Sequence, residues 1–140
     1  MPIDINTFER AWINISENVS CPSVQFSKKT FYVMKDMNTC FVIAELDFTT
    51  HAEVQNAINI SIPSLGPSYV GDFVPCENTV FALKNDEFNT FVKMTLMSGG
   101  TLRLESFPFT PNAKYEMNIQ FFFMLRSAEN NSFLFQSLID

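Results

Sequence analysis

The chain has 140 residues, 46% hydrophobic and 17% charged, which is enough apolar content to bury a single-domain core and too much for a disordered chain. A net charge of −6 and a pI near 4.7, with no basic run, set it against nucleic-acid phosphates and anionic lipid surfaces as partners. No stretch approaches the roughly 20 apolar residues of a membrane span, and the opening MPIDINTFER lacks the basic and apolar segments of a secretory signal.

At the N-terminus, Asn6 followed by Glu9 resembles a capping arrangement at a helix start. Ile5, Phe8, Trp12, Ile15 and Val19 then follow three-four spacing. This predicts a short amphipathic helix, or the remnant of a heptad stripe, within an N-terminal helix or arm over residues 1–22. A single helix capping the domain, a frayed arm and isolated strands at Ile13 and Ile15 compete with it. If such a helix stands alone, Phe8, Trp12 and Ile15 become oligomer-interface residues.

A β domain is expected over residues 23–127. Val24 to Val33 suggests one or two strands. From Thr39 to Phe48 the pattern alternates, with Cys40, Val42, Ala44, Leu46 and Phe48 on one face and Phe41, Ile43, Glu45 and Asp47 on the other. A period of two predicts a strand half-buried against a core. Ala57 to Ile62 repeats the signal, and Thr79 to Lys84 is a shorter apolar run.

Thr90 to Met97 and Thr101 to Glu105 flank Ser98-Gly99-Gly100. Adjacent glycines accept the positive φ of tight hairpin turns, which predicts a hairpin here. Tyr115 to Leu125 alternates again, but Phe122 and Met124 make its end apolar on both faces. Such a strand is central or lies at an interface, so Phe122 and Met124 join the interface candidates. Seven or eight short strands predict an all-β, antiparallel β-sandwich or jelly roll, with a C-terminal tail over 128–140.

Between the strands, Pro63 to Glu77 contains three prolines and two glycines, which preclude regular structure through it. It is either a crossover between sheets or a functional loop, and its aromatics Tyr69 and Phe73 are then binding candidates. Sixteen phenylalanines exceed what one core of this size uses, so some belong on a partner surface. Phe107 and Phe109, held between prolines in FPFTP, are the further binding candidates. Their competing role is to cap the end of the sandwich. Carbohydrate binding has little support, because the one tryptophan, Trp12, lies elsewhere in the sequence.

No catalytic constellation appears. The single histidine, His51, reads as an exposed loop residue, and no serine has the setting of a nucleophile. Cys21, Cys40 and Cys76 with one histidine match no zinc spacing. They read as free thiols, with a Cys21–Cys76 bridge as the alternative. Glu45 and Asp47 share a strand face, which fits an acid dyad, a weak cation site or, most simply, a solvated surface. The sequon-like triplets at Asn14, Asn18, Asn59 and Asn130 are discounted in an Asn-rich chain without a signal. Neither an enzyme nor a bound metal or cofactor is expected.

The order of elements carries a resemblance. The strand Cys40 to Phe48 leads to the Ile-rich strand Ile58 to Pro63 and a Pro/Gly loop. A Gly-turn hairpin before Thr101-Leu102-Arg103-Leu104 and the aromatic strand Tyr115 to Leu125 follow. From Val24 to Leu125 this resembles the head domains of trimeric viral and phage fibres and, more distantly, the C1q and tumour-necrosis-factor jelly rolls. The resemblance implies a homotrimer on a virion surface that attaches to a host surface protein or glycan. The alternative is a cytoplasmic β-sandwich that binds a host or partner protein.

Overall fold

The computed structural model describes residues 3, 5, 10–54, 56–66, 69–105 and 109–126. Within them the chain is all-β: β1 (Ile13–Asn14), β2 (Val24–Asp36), β3 (Thr39–Thr50), β4 (Ala57–Ser61), β5 (Asp72–Phe73), β6 (Cys76–Lys84), β7 (Phe88–Met97), β8 (Thr101–Glu105) and β9 (Lys114–Arg126). All pairings are antiparallel, in the order β1-β2-β3-β9-β6-β7-β8-β4, with β5 added to the end of β9. The sheet curls, so that β1-β2-β3-β9 and β6-β7-β8-β4 face each other as a sandwich. Period-two alternation supplies the core from both halves: Phe31 and Val33; Cys40 to Phe48; Ile58 and Ile60; Val92, Met94 and Leu96; Leu102 and Leu104; Tyr115 to Phe123.

Turn chemistry sets the registers. The β2–β3 hairpin closes through Met37, at φ 56°, and the β6–β7 hairpin through Asn85 and Asp86, at φ 53° and 61°. The β7–β8 hairpin is the Ser98–Gly100 turn expected from the glycines, with φ 102° at Gly99 and 89° at Gly100.

The N-terminal segment departs from the helical expectation. Between residues 10 and 22 there is no α-helix. β1 pairs with β2 at Ile13–Val33, the Ile15 amide donates to the Phe31 carbonyl at 2.9 Å, and Ser16–Asn18 form one 3₁₀ turn. Ser20 then exchanges two backbone hydrogen bonds with Ser61 of β4, at 2.8 and 3.1 Å. This arm therefore runs from the β2 edge of the sheet to the β4 edge and satisfies backbone groups on both. Ile15 and Val19 are buried in the core as a result, and Ile5 is buried there too, so Ile15 is not a surface for another subunit. Phe8 lies outside the described residues.

The Pro63–Glu77 stretch leads from β4 to β6 and, against the expectation from its prolines and glycines, holds regular structure: a 3₁₀ turn at Pro63–Leu65, the short strand β5 at Asp72–Phe73, and the first residues of β6. It buries Leu65, Val70 and Phe73. Phe109 is also core: it meets Tyr115 edge-on at 5.3 Å. Its loop is tied down where Thr50 Oγ1 donates to the Thr110 carbonyl and the Thr110 amide donates to Tyr115 Oη.

Candidate functional site

The outer face of β2, β3 and β9 carries the surplus aromatic surface. Register builds it row by row. Lys28, Asp47 and Glu116 lie side by side across the three strands, followed by Thr30, Glu45 and Asn118, then Tyr32, Ile43 and Gln120, then Met34, Phe41 and Phe122, and last Asp36, Thr39 and Met124. The face thus grades from charged at one end to aromatic at the other.

At the aromatic end Phe122 is 60% exposed, and Phe41, Ile43, Tyr32 and Met124 are exposed beside it. The Phe41 and Phe122 rings stand 6.2 Å apart. Trp12, at 47% exposure, completes the group: with Met34, Phe41, Ile43 and Phe122 it lines a shallow hollow of about 350 Å³. Trp12 is remote from β3 and β9 in sequence, and only the β1–β2 pairing brings it to them. A second exposed aromatic pair, Phe81 and Phe91, lies across β6 and β7 with ring centroids 4.6 Å apart.

At the charged end a cleft of about 670 Å³ opens between β9 and β6, lined by Lys28, Glu45, Asp47, Phe81, Leu83 and Glu116 among others. Lys28 is ion-paired to Glu45, and Lys114 to Glu116 at 2.7 Å. The hydrogen bond from Lys114 holds the Glu116 carboxyl below its ordinary range. Asp47 has no cation within 4 Å among the described residues. Partial burial, then the neighbouring Glu116 charge, raises its pKa.

β9 is only partly paired along this cleft. It pairs with β6 at Tyr115–Glu116 and with β5 at Leu125–Arg126. The Lys114 carbonyl accepts from Asn85 and the Met124 carbonyl from Val74, both on this edge. Alternation along the strand turns the backbone groups of Asn118, Gln120 and Phe122 the same way, where among the described residues no strand pairs with them.

Other candidate positions lack reactive geometry. Ser23, His51 and Glu53 share a hollow of about 410 Å³, but no side-chain hydrogen bond joins them among those described, and His51 is exposed. Burial pushes the Cys40 thiol up to about 12 and raises Cys21 and Cys76 as well, the opposite of an activated nucleophile. Cys21, Cys40 and Cys76 are separate free thiols. No group of three potential metal ligands occurs among the described residues.

The sequence-derived binding residues divide. Phe122 and Trp12 line one hollow on the exposed face, and Met124 is exposed two residues along β9 from Phe122. Phe73, whose ring lies tilted against Phe123 with centroids 4.6 Å apart, and Phe109 are buried and present no ring to a partner. Tyr69 is half-buried in the crossover, and Phe107 lies outside the described residues. Sequence reasoning did not single out Tyr32, Phe41 and Ile43. Their signal was two large apolar residues at the polar parity of β3, in register with Phe122. No family model, curated protein or solved structure matches this chain. Among the described residues no helix is long and apolar enough to cross a membrane.

Proposed function

We propose that this chain is a non-enzymatic recognition module that docks another protein on the outer face of β2, β3 and β9. The observation that carries the reading is the exposure, on one continuous face, of Trp12, Tyr32, Phe41, Ile43, Phe122 and Met124. Aromatic residues of this kind bury about 150–250 Å² each, so their exposed parts amount to roughly 500 Å². That is the upper end of the largest apolar patch on a typical monomer, roughly 300–600 Å². It approaches the ~800 Å² that each partner contributes to a standard interface.

A second reading keeps the face and changes the occupant. In it the module is a fibre-head-like homotrimer on a virion surface, as the resemblance implies, with Phe122 and Met124 between subunits. The exposure of those two residues favours it. The N-terminal stripe no longer does, since Ile15 and Val19 are buried within the subunit.

The test is a folded Phe41→Ser/Phe122→Ser double variant used beside the wild type. A homotrimer by light scattering that the variant converts to monomer supports the second reading. A monomer that retains a protein from extract, lost with the variant, supports the first. If the wild type is monomeric and no protein distinguishes the two baits, both readings fail.

A further inference from the structure

The hollows of the outer face join into one groove. The cleft at the charged end shares Glu45, Asn118 and Gln120 with a middle hollow beside Thr30 and Tyr32, and that hollow shares Ile43 and Gln120 with the aromatic one. From Glu116 to Phe122 along β9 the groove runs about 20 Å, at roughly 3.3 Å per residue. That is the length of an extended segment of about six residues.

We propose that this groove holds an extended peptide segment of the partner protein, with an arginine or lysine against Asp47 and an aromatic or aliphatic residue over Phe41 and Phe122. The inference rests on the recognition reading above and names the partner's chemistry. Charge selects the first anchor: three carboxylates, Glu45, Asp47 and Glu116, line the cleft against the single lysine Lys28. Asp47 is the carboxylate without an ion pair, and the Phe81 ring, 60% exposed, forms the facing wall. A cation seated there meets both a carboxylate and an aromatic surface.

The backbone of Asn118, Gln120 and Phe122, which no strand among the described residues pairs on this edge, offers amides and carbonyls to a main chain lying along the groove, as in recognition by strand addition. Alternate residues of an extended segment face the same way, so the two anchors stand an even number of residues apart, four or six. A second copy of this chain, at net charge −6, brings no surplus of cations. A neutral glycan stacks on the aromatic end but leaves the carboxylates unmatched.

The experiment is selection of a displayed library of random linear dodecapeptides on the purified full chain. The enriched sequence is then made synthetically and titrated by the emission of Trp12, which lies in the groove and is the sole tryptophan. Enriched peptides are expected to carry Arg or Lys four or six residues from an aromatic or aliphatic residue. Asp47→Asn and Phe122→Ser are each expected to weaken binding at least tenfold while keeping the thermal midpoint within a few degrees. Met97→Thr, exposed on β7 outside the groove, is expected to leave binding unchanged.

No enrichment, enrichment without a basic residue, or affinity indifferent to Asp47→Asn overturns the proposal. So does binding of a glycan array in place of peptides. Sensitivity to Phe122→Ser with indifference to Asp47→Asn overturns the peptide while leaving the docking face itself standing.

Discussion

Gly100 and Ile62 meet backbone to backbone. The Ile62 amide donates to the Gly100 carbonyl at 2.8 Å, and a Cβ built on Gly100 would stand 2.6 Å from the Ile62 carbonyl oxygen and 2.9 Å from the Gly66 nitrogen. The β7–β8 turn is thereby locked against the start of the crossover, where no side chain has room. Gly99, one residue earlier, has the same positive φ but nothing within 4 Å of its Cβ position.

The two glycines therefore separate by mutation. Gly99→Ala carries the left-handed backbone penalty, about 1–2 kcal/mol. Gly100→Ala carries that penalty and a clash with backbone, which puts it in the range of about 3 kcal/mol or more reserved for strain at special positions. Urea denaturation of both variants checks this. Equal midpoints would contradict the locked turn.

Phe122 and Phe123 are neighbours with opposite fates. Phe123 is 2% exposed and packs against the Phe73 ring, while Phe122 faces solvent. Phe123→Ala is expected to cost about 3–5 kcal/mol, and Phe122→Ser no more than about 0.5 kcal/mol, as for a surface substitution. Chemical denaturation gives the ratio. A large loss at Phe122 would place that ring inside a contact within the subunit.

Asp47 shapes the acid limb of stability. Burial and Glu116 raise its folded pKa above the ordinary 3.8, so its ionised form disfavours folding at neutral pH. That cost fades as pH falls through the raised pKa and is gone below about 3.8. Glu116 runs the other way: its lowered pKa contributes stability above about 4.5 that is lost as pH falls through the depressed value. Asp47→Asn should consequently be at least as stable as wild type at pH 7, with the difference vanishing near pH 3. Denaturation at several pH values measures it, and a variant less stable at pH 7 would show that the ionised carboxylate is stabilising.

Cys40 is closed to thiol chemistry. Burial holds it near 12, so almost no thiolate exists at pH 7.5. A colourimetric disulfide reagent should leave Cys40 unmodified in the native protein, attack the half-buried Cys76 first, and titrate all three thiols in denaturant. Mass spectrometry of partly labelled protein identifies the order. Early labelling of Cys40 would mean that β3 opens readily.

Much of the strand inventory was legible because a period of two survives any context. The alternation of Cys40 to Phe48 and Tyr115 to Leu125 located β3 and β9, and Ser98-Gly99-Gly100 located the hairpin. The N-terminal arm misled for a physical reason. Ile5, Phe8, Trp12, Ile15 and Val19 do have helical spacing, but the backbone edges of β2 and β4 were open. Hydrogen bonds from Ile15 to Phe31 and between Ser20 and Ser61 outweighed local propensity. Phe73 and Phe109 misled because loop sequence around an aromatic does not reveal whether the loop folds over the core.

The sequence by itself determined the class of fold, the inward face of each long strand and the presence of more aromatic surface than the core needs. Those are properties of local alternation and composition. Only the tertiary structure decided where the surplus goes. Phe41, Phe122 and Trp12 come from three distant segments, and it is the register of β3 with β9 and the pairing of β1 with β2 that place them on one face. The same registers set Asp47 beside Glu116 and, among the described residues, leave the middle of β9 without a strand partner on the side away from β3. Such juxtapositions are fixed by long-range backbone pairing, whose partners no local pattern specifies.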